Sequence, residues 1–76
     1  MQRIRALPYE KVVKIFETAG CMFQHTKGDH LIFHYAGARR PVVIPKYKEV
    51  PVFVIKNNMK VIGLSREQYL ELEART

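Results

Sequence analysis

The stretch that decides the fold is Cys21-Met22-Phe23-Gln24-His25-Thr26-Lys27-Gly28-Asp29-His30-Leu31-Ile32-Phe33-His34-Tyr35. Its centre, Lys27-Gly28-Asp29, is a turn, because glycine adopts backbone angles that strain other residues. After the turn, His30 to Tyr35 reads as a strand rich in β-formers. Leu31, Phe33 and Tyr35 share one face, and His30, Ile32 and His34 share the other. Before the turn, Cys21, Phe23 and His25 alternate with Met22, Gln24 and Thr26, a weaker strand pattern over residues 21–27.

Working outward, Ala36-Gly37-Ala38-Arg39-Arg40 is a polar loop. Pro41-Val42-Val43-Ile44-Pro45 is a short third strand, with prolines at its ends because neither can donate inside a ladder. Strands this close in sequence pair most simply as an antiparallel meander. On the N-terminal side, Tyr9, Val12, Val13, Phe16 and Ala19 recur at helical spacing, with Pro8 suited to the first turn and Gly20 just past the end. On the C-terminal side, Pro51 opens a second helix whose apolar stripe is Val52, Ile55, Met59 and Ile62, stopped by Gly63. The β-branched content of Pro51 to Ile55 also fits a strand, which leaves the start of that helix open. Ser65-Arg66-Glu67-Gln68 is a capping box for a third helix from Arg66 to about Glu73, with Tyr69, Leu70 and Leu72 toward the core. The order α-β-β-β-α-α predicts an α+β fold, a three-stranded antiparallel sheet packed against helices on one face. Residues 1–76 read as a single domain.

Thirteen Lys and Arg against seven Asp and Glu leave a net charge of +6. That field suits nucleic acid, an anionic membrane surface or an acidic protein, and charge alone does not choose among them, since many small domains are basic for solubility. Cys21 is the one cysteine and can form no internal disulfide, which fits a reducing cytoplasm. The basic start Met1-Gln2-Arg3-Ile4-Arg5 is followed by no long apolar region, so no signal peptide is read. No apolar run approaches the roughly 20 residues needed to span a bilayer, so a soluble protein without membrane association is expected.

Most catalytic equipment is missing. The sequence has no phosphate-binding glycine loop, no HExxH and no CxxC. Its acidic residues are dispersed, whereas metal-dependent nucleases usually cluster theirs. The histidines His25, His30 and His34 remain. A three-histidine zinc site is disfavoured, since His25 and His30 sit on opposite arms of the turn with no obvious fourth ligand; neither metal nor cofactor is expected. His25 and His34 read as surface or half-buried strand residues. His30 differs in following Lys27-Gly28-Asp29, where a backbone can approach closely and a lysine can hold a phosphate. A strand-start histidine bonded to a carbonyl explains the local sequence equally well.

Four marks occur in order between Leu7 and Leu72: Ala19-Gly20, then Lys27-Gly28-Asp29-His30, then Val42-Val43-Ile44-Pro45, then Gly63-Leu64-Ser65 with Glu67, Tyr69 and Leu70. In this set the chain resembles the HicA (YcfA-like) family, the toxin half of a bacterial and archaeal toxin–antitoxin module. The resemblance implies a fold similar to double-stranded-RNA-binding domains, ribonuclease activity on mRNA, a catalytic histidine matching His30, and neutralisation by a HicB antitoxin. It departs from the family in three places. Asp29 stands where serine is usual, Tyr47 where a histidine is frequent, and Pro51-Val52-Phe53-Val54 is more apolar than the usual helix start.

On this footing His30 is the expected acid–base group. It serves the ribose 2′-hydroxyl as base or the leaving 5′-oxygen as acid, without a metal. Lys27, Gly28, Arg39, Arg40, Lys46 and Lys48 are the expected RNA-binding residues, although any one lysine or arginine alone is equally well explained as a solvated basic face. The toxin is expected to be monomeric on its own, with mRNA and a HicB-like protein as partners. The rival expectations are a non-catalytic RNA-binding module and an interaction domain that docks through Pro51 to Ile55.

Overall fold

A computed structural model describes residues 3–76. Its elements are α1 (Tyr9–Thr18), β1 (Met22–Lys27), β2 (His30–His34), β3 (Val42–Pro45), α2 (Val52–Ile62) and α3 (Arg66–Arg75). The sheet is antiparallel in the order β1-β2-β3, so the chain has the α+β fold expected, with the element order of double-stranded-RNA-binding domains followed by one extra helix. Among the described residues no helix is long and apolar enough to cross a membrane.

One core holds the layers together. α1 contributes Val12, Ile15 and Phe16, β2 contributes Phe33, and β3 contributes Val42 and Ile44. α2 adds Ile55 and Met59, and α3 adds Tyr69. Each fully buried aliphatic or aromatic side chain is worth on the order of 1.5–3 kcal/mol, which matters in a domain this small. Residues 52–55 are helical, resolving the open reading of that stretch. A helix there seats Ile55, Asn58 and Met59 together on one buried face, which strand alternation would not do. Pro8 and Pro51 stand one position earlier than a first-turn proline, as extended cap residues with ψ of 147° and 151°. The capping box of α3 is complete. The Gln68 N–H donates to the Ser65 hydroxyl at 3.1 Å, and the Ser65 N–H donates to the Gln68 side chain at 2.9 Å.

The alternation expected for residues 21–27 fails in the middle. Phe23 pairs with Phe33 and His25 with Ile32, so Gln24 is an unpaired bulge. The extra residue turns His25 away from the face it would have shared with Phe23. Phe23 accordingly packs edge-on against Phe33 at 5.6 Å, while His25 lies on the outer face with Ile32.

The edge of β3 not paired with β2 is closed by a side chain. The Asn58 amide donates to the Val43 carbonyl at 2.9 Å and accepts the Val43 N–H at 3.3 Å. It thereby supplies both bonds a neighbouring strand would give, from a position only 5% exposed. Beyond β3 the chain is tied to the N-terminal segment. The Tyr9 N–H donates to the Tyr47 carbonyl at 3.2 Å, and the Val50 N–H donates to the Leu7 carbonyl at 2.6 Å. These bonds hold the 46–50 segment against the start of α1.

Candidate functional site

The site is built at the turn. Lys27 pairs directly with His30, leaving Gly28 and Asp29 as a two-residue loop. Gly28 has φ +61° and, among the described residues, no non-glycine residue has positive φ, the signature of a type II′ turn with its glycine in first position. The Lys46 N–H donates to the Asp29 carbonyl at 2.8 Å, so the continuation of β3 clamps the turn from the other side. His30 lies between Lys27 on β1 and Pro45 on β3, and cross-strand partners share a face, so Lys27 and His30 project together from the outer face of the sheet.

The His30 side chain is 44% exposed, and its Nδ1 stands 2.9 Å from Oδ1 of Asp29. A polar contact this exposed contributes little to stability, so its consequence is orientation. A carboxylate at Nδ1 favours a proton there and leaves Nε2 directed elsewhere. An open groove of ≈ 310 Å³ runs beside the ring, lined by His30, Val43, Pro45, Tyr47, Pro51, Phe53, Val54, Asn57 and Asn58. Two of its walls are exposed aromatic rings, Tyr47 at 44% and Phe53 at 67%.

The groove does not end there. A second hollow, lined by Arg40, Pro41, Val43, Asn57, Asn58 and Val61, shares Val43, Asn57 and Asn58 with the first. A third, with Gln24, His25, His34 and Arg39, shares Arg40 and Pro41 with the second. Through these shared walls the three hollows adjoin one another as a furrow along the seam between β3 and α2 and onto the outer sheet face.

The expected site residues fall into two groups along this path. Lys27, Gly28, His30 and Lys46 meet at the turn, with exposed Lys48 two residues further along the chain. Arg39 and Arg40 stand beyond the opposite end of the β2–β3 pair, past Val42, which itself lies about 10 Å along the strand from the Pro45 partner of His30 at about 3.3 Å per residue. His25 and His34 line the far hollow. Among the described residues, no group of three or more His, Cys, Asp or Glu is placed to share a metal ion. Cys21 is only 4% exposed, and burial pushes its thiol up to about 11, which makes it a poor nucleophile.

A larger hollow, ≈ 650 Å³, lies elsewhere, between the N-terminal segment and α3. Three of its charges serve each other or the backbone: Arg5 meets Glu73 at 3.3 Å, and Lys11 Nζ donates to the Thr76 carbonyl at 2.7 Å. It stitches the termini together.

Sequence reasoning missed Asn57, Asn58 and Phe53 as parts of the groove. The available signal for Asn58 was its position, three residues after Ile55 and directly before Met59, inside the apolar stripe.

A histidine hairpin on a three-stranded sheet, backed by helices in this order, defines a small basic α+β protein of the double-stranded-RNA-binding plan. A family profile described as HicA toxin of bacterial toxin-antitoxin matches residues 9–64, from the start of α1 past the end of α2, and the chain belongs to that family. None of the curated proteins compared with the chain matches it.

Proposed function

We propose that this toxin-family protein is a metal-independent endoribonuclease acting on mRNA, with His30 as its catalytic residue and a HicB-type antitoxin as its inhibitor. The observation that carries the reading is the half-exposed imidazole at the clamped turn, its Nδ1 2.9 Å from Asp29, on a residue that lines an open groove. Histidine suits the task because an ordinary imidazole, with a pKa of about 6.5, both accepts and releases protons at cellular pH.

In this mechanism Nε2 of His30 takes the proton from a ribose 2′-hydroxyl. The 2′-oxygen attacks the adjacent phosphorus, the bond from phosphorus to the 5′-oxygen breaks, and solvent water donates a proton to that leaving oxygen. The products are a 2′,3′-cyclic phosphate and a free 5′-hydroxyl. Asp29 is a positioning residue that keeps the proton on Nδ1. Lys27 and Lys46 offset the charge that builds on the phosphate. Arg39 and Arg40, with Lys48, hold the strand further along.

One acid–base group is typically worth about 10²- to 10⁴-fold. His30→Ala is therefore expected to lower cleavage of single-stranded RNA by about that factor while folding and antitoxin binding persist. The measurement is purified protein with a labelled RNA in the presence of EDTA. Cleavage by the variant at the wild-type rate removes His30 from the mechanism, and cleavage that requires a divalent ion removes its metal independence.

The element order itself favours a second reading, a non-catalytic module that recognises duplex RNA by shape. Such a protein binds duplex with steep salt dependence and leaves every RNA in the same assay uncut.

A further inference from the structure

We infer that Tyr47 and Phe53 form a base-stacking subsite beside His30, so that the strand presented to the imidazole is unpaired RNA with a base lodged in the groove. The inference rests on the ribonuclease reading for the identity of the polymer, and goes beyond it in naming the form of the RNA and the residues that hold it.

Four large hydrophobic side chains are exposed among the described residues: Met22, Phe23, Tyr47 and Phe53. Met22 and Phe23 belong to β1, whereas Tyr47 and Phe53 come from different segments and line the groove that contains His30. Both are held by backbone structure. The Tyr47 N–H donates to the Pro45 carbonyl at 2.8 Å, its carbonyl accepts from Tyr9, and Phe53 sits in the first turn of α2 after the extended Pro51. The rings thus stand in water without collapsing onto the core. Keeping two aromatic faces wet beside a proton-transfer group suits a ligand with a π-face of its own.

The surroundings select a nucleobase over an apolar protein segment. Lys46 and Lys48 flank Tyr47 directly, and no carboxylate lines the groove. Of the nearby acids, Asp29 is engaged with His30, and Glu49 is exposed two residues from Tyr47. Beyond the rings, the furrow continues past the exposed Asn57 to Arg40, offering an amide for a base edge and then a cation for a further phosphate. Stacking on side chains requires a base free of its duplex neighbours, which favours single strands, loops and ends.

The test uses the full chain and short 2′-O-methyl oligoribonucleotides, which lack the nucleophile and stay intact. Binding is read by fluorescence anisotropy at low salt for the complete strand, for a series with each base removed in turn, and for a blunt duplex. Tyr47→Ala/Phe53→Ala is compared with wild type, and Phe53→Leu separates π-stacking from plain apolar contact. Both positions are exposed, so circular dichroism of the variants should match wild type. Expected are a loss of about tenfold or more in affinity for the complete strand in the double variant, a partial loss in Phe53→Leu, and little further loss when the strand lacks the critical base.

The inference is overturned if wild type binds complete and abasic strands equally, if it prefers the duplex, or if the double variant loses antitoxin binding but keeps RNA affinity. Any of these alongside His30-dependent cleavage removes the subsite and leaves the ribonuclease. Absence of both binding and cleavage removes the two together.

Discussion

The two edges of the sheet are built on opposite principles. β3 is largely buried, with Val42 and Ile44 at zero exposure and its outer backbone groups satisfied by Asn58. β1 is exposed at all six residues, pairs only with β2, and breaks its own register at Gln24. A bulge and a terminal lysine are ordinary ways of making an open edge unattractive to other strands. The difference teaches where each requirement sits. The packed side, from β3 through α1 and α3, carries stability; the open side contributes little burial but supplies Lys27 and Gly28, without which His30 would have no turn to stand on.

The largest expected effect tests the packed side by alkali. Burial pushes the Tyr69 hydroxyl up to about 12, with Glu73 adding to the rise and Arg5 opposing it, and burial pushes Cys21 up to about 11. Both groups hold their protons more tightly folded than unfolded. Their contribution is therefore fully present below the ordinary values of 9.0 and 10.0 and is lost as pH climbs through 11 and 12. Discounted for solvent screening, each rise is worth on the order of 1–2 kcal/mol. Urea unfolding at stepped pH should show stability falling steadily above pH 9. The Tyr69 hydroxyl meets no polar partner among the described residues, so Tyr69→Phe should hold its stability near neutral pH and flatten the alkaline decline. An unchanged alkaline profile in that variant would mean the phenol is not buried in solution.

Asn58 tests the boundary between the two sides. Asn58→Leu keeps the volume but strips the Val43 N–H and carbonyl of their partners, at a cost of about 1–3 kcal/mol by urea unfolding. The same variant leaves β3 with an open edge like that of β1, and concentration-dependent self-association in ultracentrifugation is the expected sign. A fully stable, monomeric Asn58→Leu would show that the amide does not close the sheet.

How much of this was legible in the chain follows the same division. The helices and the hairpin could be read because their cues are local: glycine at the turn, Ser65 to Gln68 at the cap, and apolar periodicity in α1. The bulge at Gln24 could not, since an exposed strand has no buried face to impose its register. Asn58 was hidden for the opposite reason. Its value lies in a bond to residue 43, fifteen positions away, and an asparagine on a helix reads as surface until its partner is known. For the site, His30 and Lys27 were visible as neighbours in one turn. Tyr47 and Phe53 join them through tertiary ties, the pairing of His30 with Pro45, the Lys46 to Asp29 bond and the bonds at Tyr9 and Leu7, which no local pattern announces.

The smallest expected effects lie on β1. Phe23→Ala loses an edge-on contact with Phe33 at 5.6 Å and should cost about 1 kcal/mol, within the range for such aromatic pairs. Met22→Ser, at a position 60% exposed, should change stability by less than about 0.5 kcal/mol. Neither side chain lines the groove beside His30, so the proposed RNA cleavage should be unaltered in both. The contrast within this pair is the sharpest form of the comparison, because two adjacent residues of one strand are separated only by which face they take. If Met22→Ser proves as costly as Phe23→Ala, then β1 is packed against something in solution, and the open edge is an interface. If both are silent, the strand serves to deliver the turn and nothing more.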